Sequence, residues 1–170
     1  VKLTLDTHVD DLEVEGTMKD ILDLKADLEK IYGAVKMQMK QFRHCGVDYL
    51  QSDDLATVVF SQKAFATALK YYPVSKERAK NPDSPLNPIE HGNYRSGIGG
   101  DVWLGRTRMD CAGETATLQR KVAEPTVGDM IKANALVRKV HDSLDVSLVY
   151  NTFPKGAKLR VILFHDAGKG

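Results

Sequence analysis

The sequence has few cysteines and no long apolar run. Its two cysteines, Cys45 and Cys111, lie far apart and form no paired CxxC motif. Two reduced thiols are therefore expected, rather than a disulfide framework or a cysteine zinc site. The five histidines stand singly, so their spacing indicates no metal centre. No stretch approaches the roughly 20 consecutive apolar residues of a membrane-spanning helix, and no membrane partner is expected.

The first residue is Val1, and no initiator methionine, signal peptide or other targeting segment precedes the fold. The chain ends a few residues after a strand-like apolar run. We therefore expect an internal fragment of a longer intracellular protein. With 170 residues, of which 42% are apolar and 28% charged, the composition is typical of a globular protein with one domain or two small ones.

The net charge of +1 hides an uneven distribution. Residues 1–59 carry 7 basic and 12 acidic side chains, whereas residues 60–140 carry 13 basic and 8 acidic ones. An acidic region followed by a basic one fits a cation site beside a surface that binds a polyanion. Ordinary solvated surface charge explains the same pattern equally well.

The residue pattern predicts an α+β fold that begins with a β-hairpin. Short apolar stretches flank a polar centre whose tip carries Asp10 and Asp11. Thr17 is typical of a helix N-cap and Gly33 of a helix end. The remaining predicted strands are Val35–Met39, Cys45–Leu50, Leu55–Phe60, Val146–Tyr150 and Lys158–Phe164, and the remaining predicted helices are Ser61–Tyr72, His91–Gly105, Asp110–Val122 and Thr126–Ser143. Four prolines between Pro73 and Pro88 indicate a linker.

Asp10 and Asp11 are the leading candidates for chemistry. Adjacent carboxylates on a tight turn repel each other unless a cation lies beside them, and oxygen ligands alone select a hard cation such as Mg²⁺ or Mn²⁺. The dipeptide by itself is weak evidence, because Asp53 and Asp54 form the same pair in an ordinary polar turn. The context differs, since Asp10 and Asp11 follow His8 inside an otherwise apolar hairpin.

Several segments, taken in order, resemble the reverse transcriptases of copia-type LTR retrotransposons. The stretch Leu5–Gly16 resembles the Tyr-Val-Asp-Asp hairpin of that family. Further similar segments follow along the chain: Gly46–Leu50, Thr57–Gln62 with Phe65, Tyr94–Gly100, Trp103–Leu104, Arg106–Asp110, Pro125–Asp129 with Lys132–Asn134, and Val161–Ala167. Each motif is weak alone, but their order and spacing extend over essentially the whole chain.

The resemblance implies an RNA-directed DNA polymerase that uses two-metal nucleotidyl transfer. Asp10 and Asp11 would be catalytic ligands of Mg²⁺ or Mn²⁺, and Asp166 the first catalytic, metal-binding carboxylate of a ribonuclease H domain. The implied nucleic-acid contacts are Gly46, Tyr49, Gln62, Arg106 and Arg108. The implied partners are a primed RNA or DNA template, deoxynucleoside triphosphates and the rest of the Pol polyprotein, in cytoplasmic virus-like particles and in the nucleus.

Four regions follow from the resemblance. Residues 1–72 would form the C-terminal part of the palm with a primer-grip-like hairpin, 73–90 a proline-rich linker, 91–145 a helical thumb or connection, and 146–170 the truncated start of a ribonuclease H-like domain. In the family a third polymerase carboxylate lies upstream of the hairpin, so this chain alone is not expected to polymerise.

Glu13 and Glu15 depart from the family, in which the second hairpin strand is usually apolar. Because they alternate with Leu12 and Val14, they either face water or face the palm core and damage the hairpin. Two other interpretations remain open. One is a decayed or co-opted retroelement relic that keeps the fold and nucleic-acid affinity. The other is an unrelated metal-dependent phosphatase or nuclease that uses Asp10 and Asp11.

Overall fold

Two antiparallel sheets and six α-helices make up the part of the chain that the computed structural model describes, residues 3–9, 11–154 and 156–157. The strands are β1 (Leu3–His8), β2 (Asp11–Gly16), β3 (Gln41–His44), β4 (Val47–Gln51), β5 (Thr57–Ser61) and β6 (Leu148–Asn151). The helices are α1 (Met18–Tyr32), α2 (Lys63–Ala68), α3 (Lys76–Ala79), α4 (Pro88–Leu104), α5 (Ala112–Gln119) and α6 (Val127–His141), with a 3₁₀ turn at Met109–Cys111. The predicted α+β class is confirmed. Asp10, Asp166 and the predicted strand Lys158–Phe164 fall outside the described residues.

The N-terminal hairpin and its following helix form as the sequence predicts. Strands β1 and β2 pair in antiparallel register up to His8 and Asp11, and Val9 begins the connection with a left-handed φ of 56°. Helix α1 starts at the predicted cap, where Oγ1 of Thr17 accepts a hydrogen bond from the backbone N–H of Asp20. It ends at Gly33, whose φ of 80° suits a residue without Cβ.

The second sheet has the strand order β3-β4-β5-β6, and every neighbouring pair is antiparallel. The predicted strand Val35–Met39 is wrong. That stretch has no strand structure, and the sheet begins after Lys40, which has a φ of 61°. The alternation of apolar and polar residues in Val35–Met39 shows only that the segment could line one face of a sheet. A strand also needs a neighbouring strand to pair with, and β3 occupies the free edge of β4.

Strand β6 joins this same sheet rather than starting a separate one. It pairs with β5, with Tyr150 opposite Val58. The structure therefore hydrogen-bonds two strands that lie on either side of residue 146. The partner of an isolated strand is set by contacts distant in sequence, which a local pattern does not contain.

The hydrophobic core lies among the helices. Helices α4 and α6 begin with complete capping boxes, built on Asn87 with Glu90 and on Thr126 with Asp129. The buried apolar residues of α4, α5, α6 and the turn before α5 are Tyr94, Ile98, Leu104, Cys111, Leu118, Val127, Met130, Ala133, Leu136, Val137 and Val140. The predicted helices His91–Gly105, Asp110–Val122 and Thr126–Ser143 are thus confirmed as α4, α5 and α6. The 3₁₀ turn immediately precedes α5.

Helix α2 is shorter than predicted, because it ends at Ala68 and not near Tyr72. The backbone of Tyr72 is instead paired with the side chain of Asn134 on α6. Its N–H donates to Oδ1 at 2.7 Å, and its carbonyl accepts from Nδ2 at 3.0 Å. This tertiary pair satisfies both polar groups of the Tyr72 main chain without helical hydrogen bonds.

The segment predicted as a linker, residues 73–90, is fixed against the helices. It contains α3, and backbone hydrogen bonds tie it to the start of α6, from Val127 to Ser84 and from Gly128 to Pro82. The guanidinium of Arg78 also pairs with Glu90 at 2.7 Å. The prolines therefore shape a docked connection. None of the described helices is long and apolar enough to cross a membrane.

Asp101 on α4 is a buried carboxyl group that makes the stability of this core depend on pH. It is 2% exposed, and the Tyr72 hydroxyl donates to its Oδ2 at 3.1 Å. Burial raises the pKa of Asp101 to about 6, although the tyrosine hydrogen bond opposes the shift. Because the pKa of Asp101 is higher in the folded than in the unfolded protein, its contribution to the free energy of unfolding is fully present below the unfolded pKa of 3.8. That stability is lost as the pH rises through about 6.

We therefore expect Asp101→Asn to raise the free energy of unfolding by about 1.4 kcal/mol more at pH 8 than at pH 5, because only the titration between pH 5 and about 6 separates the two conditions. The asparagine still accepts from Tyr72 but needs no deprotonation in the core. Urea unfolding at the two pH values measures the difference, with the exposed Asp83→Asn as a control. A stability change that is equal at pH 5 and pH 8 contradicts the assignment.

Candidate metal site on the acidic hairpin

One face of the N-terminal hairpin is polar and strongly acidic. Directly opposed residues lie on the same side of an antiparallel pair, and alternate residues of each strand share that side. The pairs on this face are Thr4 with Glu15, Asp6 with Glu13, and His8 with Asp11, whereas the other face carries Leu3, Leu5, Thr7, Leu12 and Val14. We call the first set the acidic face.

The predicted polymerase residue Asp11 is at the tip end of this face. It lies opposite His8, its side chain is exposed, and no ion pair to it occurs among the described residues. Val9, next to the tip, is 93% exposed. Asp10 and Asp166, the other predicted catalytic ligands, lie outside the described residues, so the structure positions one of the three.

Three ligand-type side chains converge further along the acidic face. One carboxylate oxygen each of Asp6 and Glu13 and one ring nitrogen of His44 all lie within 4.8 Å of one another. The two carboxylates come from opposite strands of the hairpin, and His44 is the last residue of β3. The group thus joins the hairpin to the second sheet.

The three members differ in exposure. His44 is 7% exposed, Glu13 is half-buried and Asp6 is exposed. Nε2 of His44 lies 3.3 Å from Sγ of Cys45, and its ring meets that of His8 edge-on at 6.4 Å between centroids. The group therefore has a closed side at His44 and an open side at Asp6.

Tyr49 on β4 faces the same carboxylates. Burial raises the pKa of its hydroxyl to about 12, and the negative charges of Glu13 and Asp6 contribute to the shift. The phenol consequently stays protonated at neutral pH and remains a hydrogen-bond donor beside Glu13. It also stacks on Phe42 at 4.7 Å between centroids, which holds the ring in place.

The donor set suits a divalent transition metal. Zn²⁺ bonds carboxylate oxygen and imidazole nitrogen at about 2.0–2.2 Å, so two ligands of one ion lie roughly 3–4 Å apart. The three ligand atoms lie within 4.8 Å of one another, which is close to that range. Mg²⁺ prefers oxygen ligands and releases its waters reluctantly, so a half-buried site with an imidazole disfavours it.

Two of the predicted nucleic-acid contacts pack against Trp103. Gly46 is exposed but faces the indole, and a Cβ at this position would lie 3.4 Å from Cζ2 of Trp103. Gln62 is 3% exposed, and its amide oxygen accepts from Nε1 of Trp103 at 2.8 Å while its nitrogen donates to the carbonyl of Leu104 at 3.2 Å. The Gln62 amide is therefore used inside the protein.

The two predicted arginine contacts have opposite environments. The Arg106 guanidinium is exposed and lies 4.4 Å from the centroid of the Trp103 ring. Arg108 is 2% exposed, with hydrogen bonds to Asp110 at 2.9 Å and to the carbonyl and hydroxyl of Ser143. Arg108 links the turn before α5 to the end of α6 and has no surface left for a phosphate.

Comparison with protein-family models, with curated proteins and with solved structures finds no match to this chain.

Sequence reasoning missed the group formed by Asp6, Glu13 and His44. The alternation of acidic residues along the hairpin was visible, and it shows which residues share a face. His44 lies 31 residues beyond Glu13 in sequence, and only the packing of β3 brings them together. Glu13 and Glu15, which the sequence treats alike, have different environments: Glu15 is exposed to water, whereas Glu13 is half-buried beside His44.

Arg108→Ala is expected to lower the free energy of unfolding by about 2–4 kcal/mol, because it removes a buried side chain that pairs with Asp110 and Ser143. Arg106→Ala is the matched control, and it should change stability by no more than about 1 kcal/mol because its cation–π contact is at the surface. Urea unfolding of both variants checks the contrast. Equal losses would show that Arg108 is not the structural member of the pair.

The opposed carboxylates give a second prediction. In a metal-free buffer with a chelator, Glu13→Gln should raise the stability of the protein by a few tenths to about 1 kcal/mol, because it removes a like-charge pair with Asp6. Glu15→Gln, which faces the uncharged Thr4, should have no such effect. Thermal unfolding at low and high salt measures both, and the gain should shrink at high salt. A gain that is the same for both variants argues against repulsion at this pair.

Proposed function

We propose that this chain is part of an RNA-directed DNA polymerase, a reverse transcriptase of the copia type, with a ribonuclease H domain beginning near Asp166. The observation that carries the proposal is the tight hairpin with Asp11 exposed at its tip end, followed along the chain by the antiparallel hairpin β4–β5. The order of segments along the sequence supports the same conclusion. The metal-binding pair would be Asp10 and Asp11.

The reaction assigned by this proposal is attack of a primer 3′-hydroxyl on the α-phosphate of a nucleoside triphosphate, with pyrophosphate leaving. Divalent Mg²⁺ or Mn²⁺ would supply the charge that lowers the pKa of the hydroxyl and neutralises the triphosphate. Asp11 contributes an exposed carboxylate without a competing ion pair in the described structure. The tight connection at Val9 holds this carboxylate at the end of the hairpin.

A residue must be exposed at the surface to contact a duplex, and the five residues implied by the resemblance differ in exposure. Arg108 and Gln62 are buried, and Tyr49 is half-buried beside Glu13. Arg106 keeps an exposed guanidinium, which lies against the Trp103 ring. We assign phosphate contact to Arg106, because a backbone contact needs a free positive charge and no base-specific geometry.

A non-enzymatic relic that keeps the fold and nucleic-acid affinity is the second candidate. The observation that favours it is Glu13, a half-buried acid opposite Asp6 on the strand where the family is usually apolar. The enzyme interpretation predicts that the coding sequence upstream of Val1 specifies a third catalytic aspartate. A disrupted upstream segment would support the relic.

Fluorescence anisotropy with a labelled primer–template duplex tests nucleic-acid binding, which both candidates share. We expect affinity at low salt that falls steeply as salt rises, and a further reduction in Arg106→Ala. Lys19→Ala, at an exposed ion pair on α1, is the control and should bind like the wild type. Absence of binding at low salt would count against both candidates. The proposal places the third catalytic carboxylate outside this chain. Nucleotide incorporation by the 170-residue chain alone would show that this is wrong.

A further inference from the structure

We propose that Asp6, Glu13 and His44 form a binding site for a divalent transition metal of the zinc type, separate from the Asp10–Asp11 pair. The site would fasten the hairpin β1–β2 to the second sheet. This inference does not depend on the polymerase proposal, because it rests on side chains that the nucleotidyl-transfer reaction does not use.

The first argument is the opposition of two carboxylates. Asp6 and Glu13 are directly opposite each other across the hairpin, where side chains are about 5 Å apart at Cβ and like charges are unfavourable. Within the described residues, neither makes an ion pair with a lysine or arginine. A cation between them removes the repulsion and supplies the missing opposite charge.

The second argument is independent of the acids and comes from His44. Its side chain is more than nine-tenths buried, yet its one hydrogen-bond contact in the described structure is the weakly polar thiol of Cys45. Buried polar groups are almost always satisfied by a strong partner. A ring nitrogen lies within 4.8 Å of both carboxylates, and no hydrogen bond joins it to either one in the described structure.

The third argument concerns what surrounds the ligands. The Tyr49 hydroxyl stands beside Glu13, so it can donate to the carboxylate oxygen that does not bind the metal. Hydrogen bonds of this kind orient metal ligands and raise affinity. His8 packs edge-on against His44 and limits the rotation of its ring.

The ligand types decide the class of metal. An imidazole with two carboxylates suits Zn²⁺, and also Co²⁺ or Mn²⁺, better than Mg²⁺. Three protein ligands leave at least one position for water, on the open side at Asp6. The two metal sites of the hairpin therefore differ in chemistry: oxygen ligands alone at the tip, and mixed nitrogen and oxygen ligands in the middle.

The test is calorimetric titration of the full chain with Zn²⁺, after chelator treatment and with Cys45 kept reduced, in the presence of excess Mg²⁺. We expect one equivalent to bind. Asp6→Asn, Glu13→Gln and His44→Gln should each weaken binding by at least about tenfold. Glu15→Gln, on the same acidic face but outside the group, should bind within about twofold of the wild type.

A readout on the wild type guards against variants that fail to fold. In ¹H–¹⁵N spectra of the imidazole rings, Zn²⁺ should shift the His44 resonances first and saturate them at one equivalent. Unchanged His44 resonances while zinc binds elsewhere would overturn the proposal, as would equal affinity in wild type and His44→Gln, or displacement of zinc by Mg²⁺. Loss of binding in Asp11→Asn alone would place the metal at the tip instead. Nucleic-acid affinity is measured separately, so the two proposals can fail independently.

Discussion

The opposition of Asp6 and Glu13 beside the buried imidazole of His44 is the constraint on which the hairpin depends. Two acids placed face to face on a two-stranded ribbon weaken it, and isolated two-stranded hairpins are already marginal in water. No residue of β1, β2 or α1 is fully buried in the described structure, and apolar residues such as Val14, Ile21 and Leu28 are only half-buried, so apolar packing adds little stability. A bound cation removes this unfavourable interaction, and its ligands also connect the hairpin to β3.

The same arrangement separates two kinds of chemistry within one hairpin. Asp11 is at the tip end with a free carboxylate, as a substrate-facing cation site requires. Glu13, two residues further on the same strand and face, is turned toward His44 and Tyr49. A metal held at the second position would fix the orientation of the strand that carries the first. The structural and the proposed catalytic functions of the hairpin are thereby linked through a single β-strand.

Local elements could be predicted from the sequence, because caps and periodicity are encoded in neighbouring residues. Thr17 and Gly33 mark helix ends that the structure reproduces, and the last helix is capped by Thr126, where its prediction placed the start. Long-range pairing could not be predicted, as β6 on β5 and the early end of α2 at the Tyr72–Asn134 pair both show. The same limit applied to the site. Asp11 was proposed from a local motif, whereas His44 joins its group only through packing. Arg108 is buried, although the resemblance implied a nucleic-acid contact.

X-ray absorption at the zinc edge tests the central claim, that the hairpin carries a mixed-ligand metal site, most directly. The zinc-loaded protein should show a first shell of oxygen and nitrogen at about 2.0–2.1 Å, with the outer-shell scattering of one imidazole ring. That ring signal should disappear in His44→Gln. A first shell dominated by sulfur near 2.3 Å would assign the metal to the cysteines. A shell of six oxygens without imidazole would show that the ion is merely hydrated at the acidic surface, and either result would contradict the account.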